Sequence, residues 1–212
     1  MTALRVCFVG DSITVGTNDP TFLGWPGRLC AREVAKGHDL TCYNLGIRAD
    51  TAALIAARWR AECASRLPDP HPGAILFAFG ANDSAIEEGL GPRATLDGSV
   101  AAARAILTEA MAWKPVLWVG SAPIDEARQP FESTGGVSYD FRNGRVAELS
   151  AAYAELAAEI GVAYLDTYAA LATDPGWLDH FAGADGVHPD TAGYEILCGL
   201  VEAWPSWRVW LD

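Results

Sequence analysis

The chain has 212 residues, half of them hydrophobic, enough to bury a core of its own and suited to one domain over residues 1–212. Its formal charge of −12, with two lysines among fifteen basic residues and no basic run, argues against nucleic acid or an anionic membrane surface as a partner. Small uncharged or cationic molecules fit it better. The chain enters its first apolar run without a charged n-region or a cleavage site, and no apolar run approaches the roughly 20 residues that span a bilayer. A cytoplasmic location is therefore expected. Cys7, Cys30, Cys42, Cys63 and Cys198 are scattered, odd in number and without a C-x-x-C pair. Neither a disulfide framework nor a zinc site is indicated, and most are expected as buried thiols.

In chain order, residues 6–9 (Val-Cys-Phe-Val) read as a buried strand that stops at Gly10-Asp11-Ser12. A loop rich in Gly, Asp, Pro and Thr leads to a helix over 26–35, with Pro26 in its first turn. A strand over 40–44 ends in a glycine turn at Gly46, and an Ala-rich helix covers 51–65. A third strand over 74–79 stops at Gly80-Ala81-Asn82-Asp83. Helical character over 93–111 precedes a strand over 115–119. Residues 125–138 are irregular, placed to wall a binding site. A helix over 139–160, a short strand over 162–165 and a closing helix over 191–204 follow. Five strands alternating with helices predict a three-layer α/β domain with a mostly parallel sheet and right-handed crossovers. Strand order is not readable from this pattern.

The chemistry lies at the strand ends. Ser12, Gly46 and Asn82 follow the first three strands, and Asp185-Gly186-Val187-His188-Pro189 precedes the last helix. One sheet edge would collect all of them, where open α/β sheets bind ligands. A serine hydroxyl needs a base to become a nucleophile at neutral pH. His188 can supply it, and Asp185, three residues away on a turn, can accept from the other imidazole nitrogen. Gly46 could offer a backbone N–H, Asn82 a side-chain amide and Ser12 its own N–H to a developing oxyanion. Each has a plainer reading: Ser12 as a turn or helix N-cap, Gly46 as a turn glycine, Asn82 as an Asx-turn. Asp83 reads as structural, orienting its loop.

Gly10-Asp11-Ser12, Gly46 after Asn44-Leu45, Gly80-Ala81-Asn82-Asp83 and Asp185-Gly186-Val187-His188-Pro189 together resemble, in order, the four sequence blocks of the SGNH hydrolases, also called GDSL esterases and lipases. The first block reads Gly-Asp-Ser-Ile where the family name has leucine last. The resemblance implies a flavodoxin-like α/β/α sandwich. It also implies Ser12 as nucleophile, His188 as base, Asp185 as its orienting carboxylate, and an oxyanion hole of Ser12, Gly46 and Asn82. The family includes carboxylesterases, lysophospholipases, thioesterases, arylesterases and sugar deacetylases, so reaction is implied better than substrate.

Two readings from other classes compete. A phosphate-binding loop at Gly10 to Thr17 has five residues between its glycines where the P-loop has four, and it lacks the lysine. A fold that has lost activity and only binds is unsupported, because every block is complete. His38, His71 and His180 lie in polar or proline-rich surroundings, no H-E-x-x-H spacing occurs, and neither metal nor other cofactor is expected. Short acyl esters are the favoured substrates, with acetylated sugars the main competitor. Phe22, Leu23, Trp25, Trp177, Leu178 and Phe181 could line an acyl pocket or equally pack the core. Trp204, Trp207 and Trp210 should be buried, against the domain or in a homodimer contact.

Overall fold

The computed structural model describes residues 3–182 and 185–211. Along the chain these form β1 (Ala3–Gly10), α1 (Ser12–Val15), α2 (Gly24–Ala35), β2 (Asp39–Gly46), α3 (Ala52–Ala64), β3 (Gly73–Ala78) and α4 (Ala81–Ser84). Then come β4 (Ile86–Glu87), β5 (Gly91–Pro92), α5 (Leu96–Met111), β6 (Val116–Val119), β7 (Phe131–Glu132), β8 (Ser138–Asp140) and α6 (Asn143–Ile160). β9 (Ala163–Leu165), α7 (Thr167–Leu171), α8 (Thr191–Ala203) and α9 (Pro205–Arg208) complete the order.

Five strands make one parallel sheet in the order β2-β1-β3-β6-β9, the doubly wound order of flavodoxin-like folds. Because successive strand residues face opposite sides, Cys7 and Val9 of β1 pack under α3, α5 and α6, while Val6 and Phe8 pack under α2 and α8. Val6, Cys7, Phe8 and Val9 are all fully buried, which explains why this strand lacks polar alternation. Two cores therefore sandwich the sheet in three layers. The chain reverses direction across the sheet between β1 and β3, and this switch point opens at their carboxyl ends.

A second, antiparallel sheet in the order β5-β4-β8-β7 lies outside this sandwich and is absent from the sequence reading. It changes two expected helices. Tyr139 and Asp140, expected as helix, pair instead with Glu87 and Ile86, so α6 begins only at Asn143. Arg93 and Ala94 likewise stand outside α5, whose N-cap is Thr95 accepting from Gly98 N–H at 3.1 Å. α8 ends at Ala203 because Pro205 cannot continue it.

The cysteine expectation is also corrected. Cys30 on α2 and Cys42 on β2 form a disulfide with their Cα atoms 6.6 Å apart, while Cys7, Cys63 and Cys198 are buried free thiols. Neither spacing nor parity could show a pairing that depends on α2 crossing over β2. Trp207 lies fully buried against Phe8, with ring centroids 6.3 Å apart, and the partly buried Trp204 and Trp210 pack on the same core. The chain's own domain thus buries Trp207 fully and Trp204 and Trp210 in part. Among the described residues no helix is long and apolar enough to cross a membrane.

Candidate active site

Ser12 opens α1 directly beyond the end of β1. Asp11 is the N-cap of that helix, its side chain accepting from Ile13 N–H at 2.9 Å, so the serine is held at the head of a short, capped turn. Burial pushes the Asp11 carboxyl up to about 6. Across the switch point, α4 places Asn82 after β3, and Asn82 Nδ2 lies 3.3 Å from Asp11 Oδ2. Asp83, next to it, accepts from Ala52 N–H at 2.9 Å through Oδ2 and so ties the first turn of α3 to this loop, the structural duty expected of it.

His188 arrives from the far end of the chain. Its Nε2 lies 2.7 Å from Ser12 Oγ, and its Nδ1 lies 2.6 Å from Asp185 Oδ2. The other carboxylate oxygen, Asp185 Oδ1, accepts the N–H groups of Val187 at 2.9 Å and His188 at 2.8 Å. Burial by itself would raise the Asp185 carboxyl, but the hydrogen bonds it accepts from the His188 ring and from the N–H groups of His188 and Val187 help hold it below its ordinary value. An ionised carboxylate can only accept, so it fixes the imidazole proton on Nδ1 and leaves Nε2 as acceptor for the serine hydroxyl. Gly186 makes the turn possible: its φ is +81°, and a Cβ there would stand 2.8 Å from Asp125 O.

The stretch 125–138 does wrap this turn. Asp125 N–H donates to Gly186 O at 2.8 Å, and Gln129 Nε2 donates to Asp185 O at 3.3 Å. From β7, Phe131 meets the His188 ring edge to face, with centroids 5.9 Å apart. On the opposite side Asn18 Nδ2 reaches Asp185 Oδ2 at 3.4 Å.

The structure thus brings Ser12, His188, Asp185 and Asn82 together, and it sets Gly46 against the Asp11–Val15 turn that carries Ser12, with its N–H turned to Asn44. Gly46 N–H donates to Asn44 Oδ1 at 3.0 Å, so in this conformation it is committed within its own strand end. The position needs glycine for packing, since a Cβ would lie 2.6 Å from Val15 N and 2.7 Å from Asp11 O. Two arginines outside the four sequence blocks also hold this edge. Arg58 donates to Gly10 O and Leu45 O, both at 2.9 Å, stitching together the ends of β1 and β2. Arg93 donates to Asn82 Oδ1 at 3.0 Å. Thr95 followed by Asp97 is a helix-start signal that would have left Arg93 outside the helix and available to the site.

Of the six apolar side chains near the blocks, Trp25, Trp177 and Phe181 are core, whereas Phe22 is 87% exposed and Leu23 and Leu178 are also exposed. Trp25 and Trp177 additionally line a cavity of about 40 Å³ bounded by Asp11, Ile13, Val187 and Pro189, the chain neighbours of Ser12 and His188. His38, His71 and His180 lie away from Ser12: His38 stands 3.6 Å from Glu33, His180 stands 3.2 Å from Asp190, and His71 is exposed. Among the described residues no three His, Cys, Asp or Glu side chains gather as metal ligands.

Residues 8–196 match the GDSL-like lipase/acylhydrolase family. The chain belongs to that family. It is accordingly an ester hydrolase of the GDSL type. A lipase/acylhydrolase from Enterococcus faecalis is similar in structure, with 26% identity, a TM-score of 0.78 and coverage of 100% of this chain and 98% of that one. TesA, at 24% identity and a TM-score of 0.70, is covered over 99% of its length by 98% of this chain. An acetyl-xylooligosaccharide esterase from Geobacillus, Axe2, shares the fold at 20% identity and a TM-score of 0.70, with 97% of each chain covered. No curated protein matches the chain in sequence.

Proposed function

We propose that this GDSL hydrolase cleaves carboxylic esters of small acyl groups through a Ser12-His188-Asp185 triad and an acyl-enzyme intermediate. The observation that carries the reading is the unbroken hydrogen-bonded line from Asp185 Oδ2 through both imidazole nitrogens to Ser12 Oγ. Ser12 Oγ attacks the ester carbonyl carbon while His188 Nε2 takes its proton. The tetrahedral intermediate collapses as His188 returns that proton to the departing alcohol. Water then repeats the sequence on the acyl-enzyme, releasing the acid and restoring Ser12.

The negative oxygen that forms at each attack is received by Ser12 N–H, at the head of α1, and by Asn82 Nδ2. Gly46 joins them only when Asn44 Oδ1 releases its amide. Support for a small acyl group comes from the cavity of about 40 Å³ lined by Asp11, Ile13, Val187 and Pro189, the chain neighbours of Ser12 and His188, which buried Trp25 and Trp177 also wall. An acetylated carbohydrate is the second reading, favoured by Axe2, a structural neighbour whose own substrate is an acetyl-xylooligosaccharide. Neither reading requires a metal or other cofactor, nucleic acid or a membrane.

Hydrolysis of p-nitrophenyl esters from acetyl to decanoyl, run beside Ser12→Ala, tests this. Rates that fall steeply with chain length and vanish in Ser12→Ala are expected. A maximum at long chains would overturn the small-acyl reading, and near wild-type activity of Ser12→Ala would overturn the triad.

A homodimer contact at the tail is a separate proposal, supported by Val209, 77% exposed between the half-buried Trp207 neighbours Arg208 and Trp210. Truncation is a poor test because it removes Trp207 from the core. Val209→Glu should halve the mass measured by light scattering if the contact exists, and an unchanged mass excludes it. For location, the Cys30–Cys42 disulfide weighs toward an oxidising compartment and against the cytoplasmic expectation, since such bonds persist where thiols are not kept reduced.

A further inference from the structure

Asn82 presents one donor end and one acceptor end, and only the Nδ2 end can stabilise an oxyanion. Nδ2 donates one of its two hydrogens to Asp11 Oδ2 at 3.3 Å, so the other is the one left for an oxyanion, and what holds the Oδ1 end helps decide the amide's orientation. Arg93 occupies that end. Its guanidinium donates from one nitrogen to Asn82 Oδ1 at 3.0 Å and from another to Ala49 O at 2.8 Å. A guanidinium has no acceptor, so an amide flipped by half a turn would set Nδ2 against Arg93, donor facing donor.

The arginine is itself held firmly. Its side chain is 13% exposed, it lies over the Tyr139 ring at 5.1 Å from the centroid, and Glu87 stands 3.8 Å away. Its backbone N–H donates to Ala85 O at 3.0 Å. These supports come from β4, β8 and the end of α4, so the small antiparallel sheet braces the arginine. The second acceptor is notable in its own right. Ala49 sits at φ +66°, a left-handed conformation that strains a residue with a Cβ and persists where surroundings impose it. Through Arg93 the loop after β2 and the amide after β3 are locked to one rigid group.

We propose that Arg93 is a positioning residue that fixes the Asn82 amide with Nδ2 toward the reacting carbonyl, and that the small antiparallel sheet serves the reaction by bracing it. The proposal rests on Asn82 being an oxyanion donor. Arg93 touches neither Ser12 nor His188 and acts through Asn82, so its loss lowers kcat while leaving ground-state binding alone.

The test is a double-mutant cycle of Arg93→Met and Asn82→Ala, with kcat and KM measured on p-nitrophenyl acetate. Methionine keeps apolar contact with Tyr139 but donates nothing. Arg93→Met should lower kcat by about 10-fold or more with KM within about twofold, and should cost nothing further in the Asn82→Ala background. Equal losses in both backgrounds, a loss in KM alone, or full activity would overturn the proposal. If Arg93→Met does not fold, Arg93→Lys carries the test: one ammonium cannot replace the planar fork at two acceptors, so kcat should fall in wild type and stay unchanged in Asn82→Ala. Full activity of Asn82→Ala would instead remove the oxyanion reading beneath it, a distinguishable failure.

Discussion

Ser12 Oγ and His188 Nε2 stand 2.7 Å apart although 176 positions separate them in the chain. The sheet makes this possible. β1 delivers the serine to its carboxyl edge, and the turn before α8 returns the histidine to the same edge. Because Asp185 lies on the histidine's own turn and accepts two of that turn's N–H groups, orientation of the base is a local matter while contact with the nucleophile is a global one.

Removing the base should therefore differ from misorienting it. His188→Ala is expected to lower kcat by about 10⁴-fold or more, and Asp185→Asn by a comparable or smaller factor, with both variants still folded. Asp185→Asn keeps the acceptor for the turn amides but can donate to Nδ1, which favours the wrong tautomer. Steady-state kinetics on p-nitrophenyl acetate check both, and an Asp185→Asn variant with wild-type kcat would show that the carboxylate does not orient the base.

Asn82→Ala should lower kcat by about 100-fold or more while KM changes little, because the bond it loses is made chiefly to the oxyanion. An effect confined to KM would place Asn82 in substrate binding instead.

Two carboxyls beside the site give stability a pH dependence of known sign. Burial pushes both Asp11 and Asp83 up to about 6 from an ordinary value of 3.8. Between those values the folded state binds more protons than the unfolded chain, so this contribution is full below about pH 4 and is lost as pH rises through 6. Asp83→Asn carries no such charge and can still accept from Ala52 N–H. Measured by urea unfolding, its stability relative to wild type should improve by about 2 kcal/mol between pH 4.5 and pH 7.5. A difference that does not vary with pH would show that Asp83 is not raised.

The Cys30–Cys42 bond closes a loop of sequence separation 12, which constrains the unfolded chain by roughly 3 kcal/mol. Reduction should lower Tm by about 6–12 °C at this chain size. Thiol titration of the denatured protein should find three free cysteines without reductant and five with it. Five without reductant, and a Tm indifferent to it, would show the bond does not form.

Much of the site was legible because its residues sit where strand periodicity breaks. Ser12 and Asn82 each follow a run of buried residues that ends in Gly10 or Gly80, and such ends of parallel strands converge on one edge whatever the strand order. Asp185 and His188 were legible because a three-residue spacing on a turn is enough for one to orient the other. The five longer helices and the five parallel strands followed from apolar patterning, with boundaries moved by a few residues, whereas the short α1, α4, α7 and α9 carry too little periodicity to be read.

What the sequence determined by itself is thus the local chemistry: a nucleophile, a base with its carboxylate and an amide, each at the end of an element whose kind is set by short-range pattern. The tertiary structure decided everything that depends on which distant segments meet. It set the order β2-β1-β3-β6-β9, turned Tyr139 from helix into strand by pairing it with Glu87, and joined Cys30 to Cys42. It brought Arg93 against Asn82 and Ala49. Pairing, crosslinking and the orientation of a planar amide are all contact properties, and a contact between distant segments exists only once the chain has closed around it.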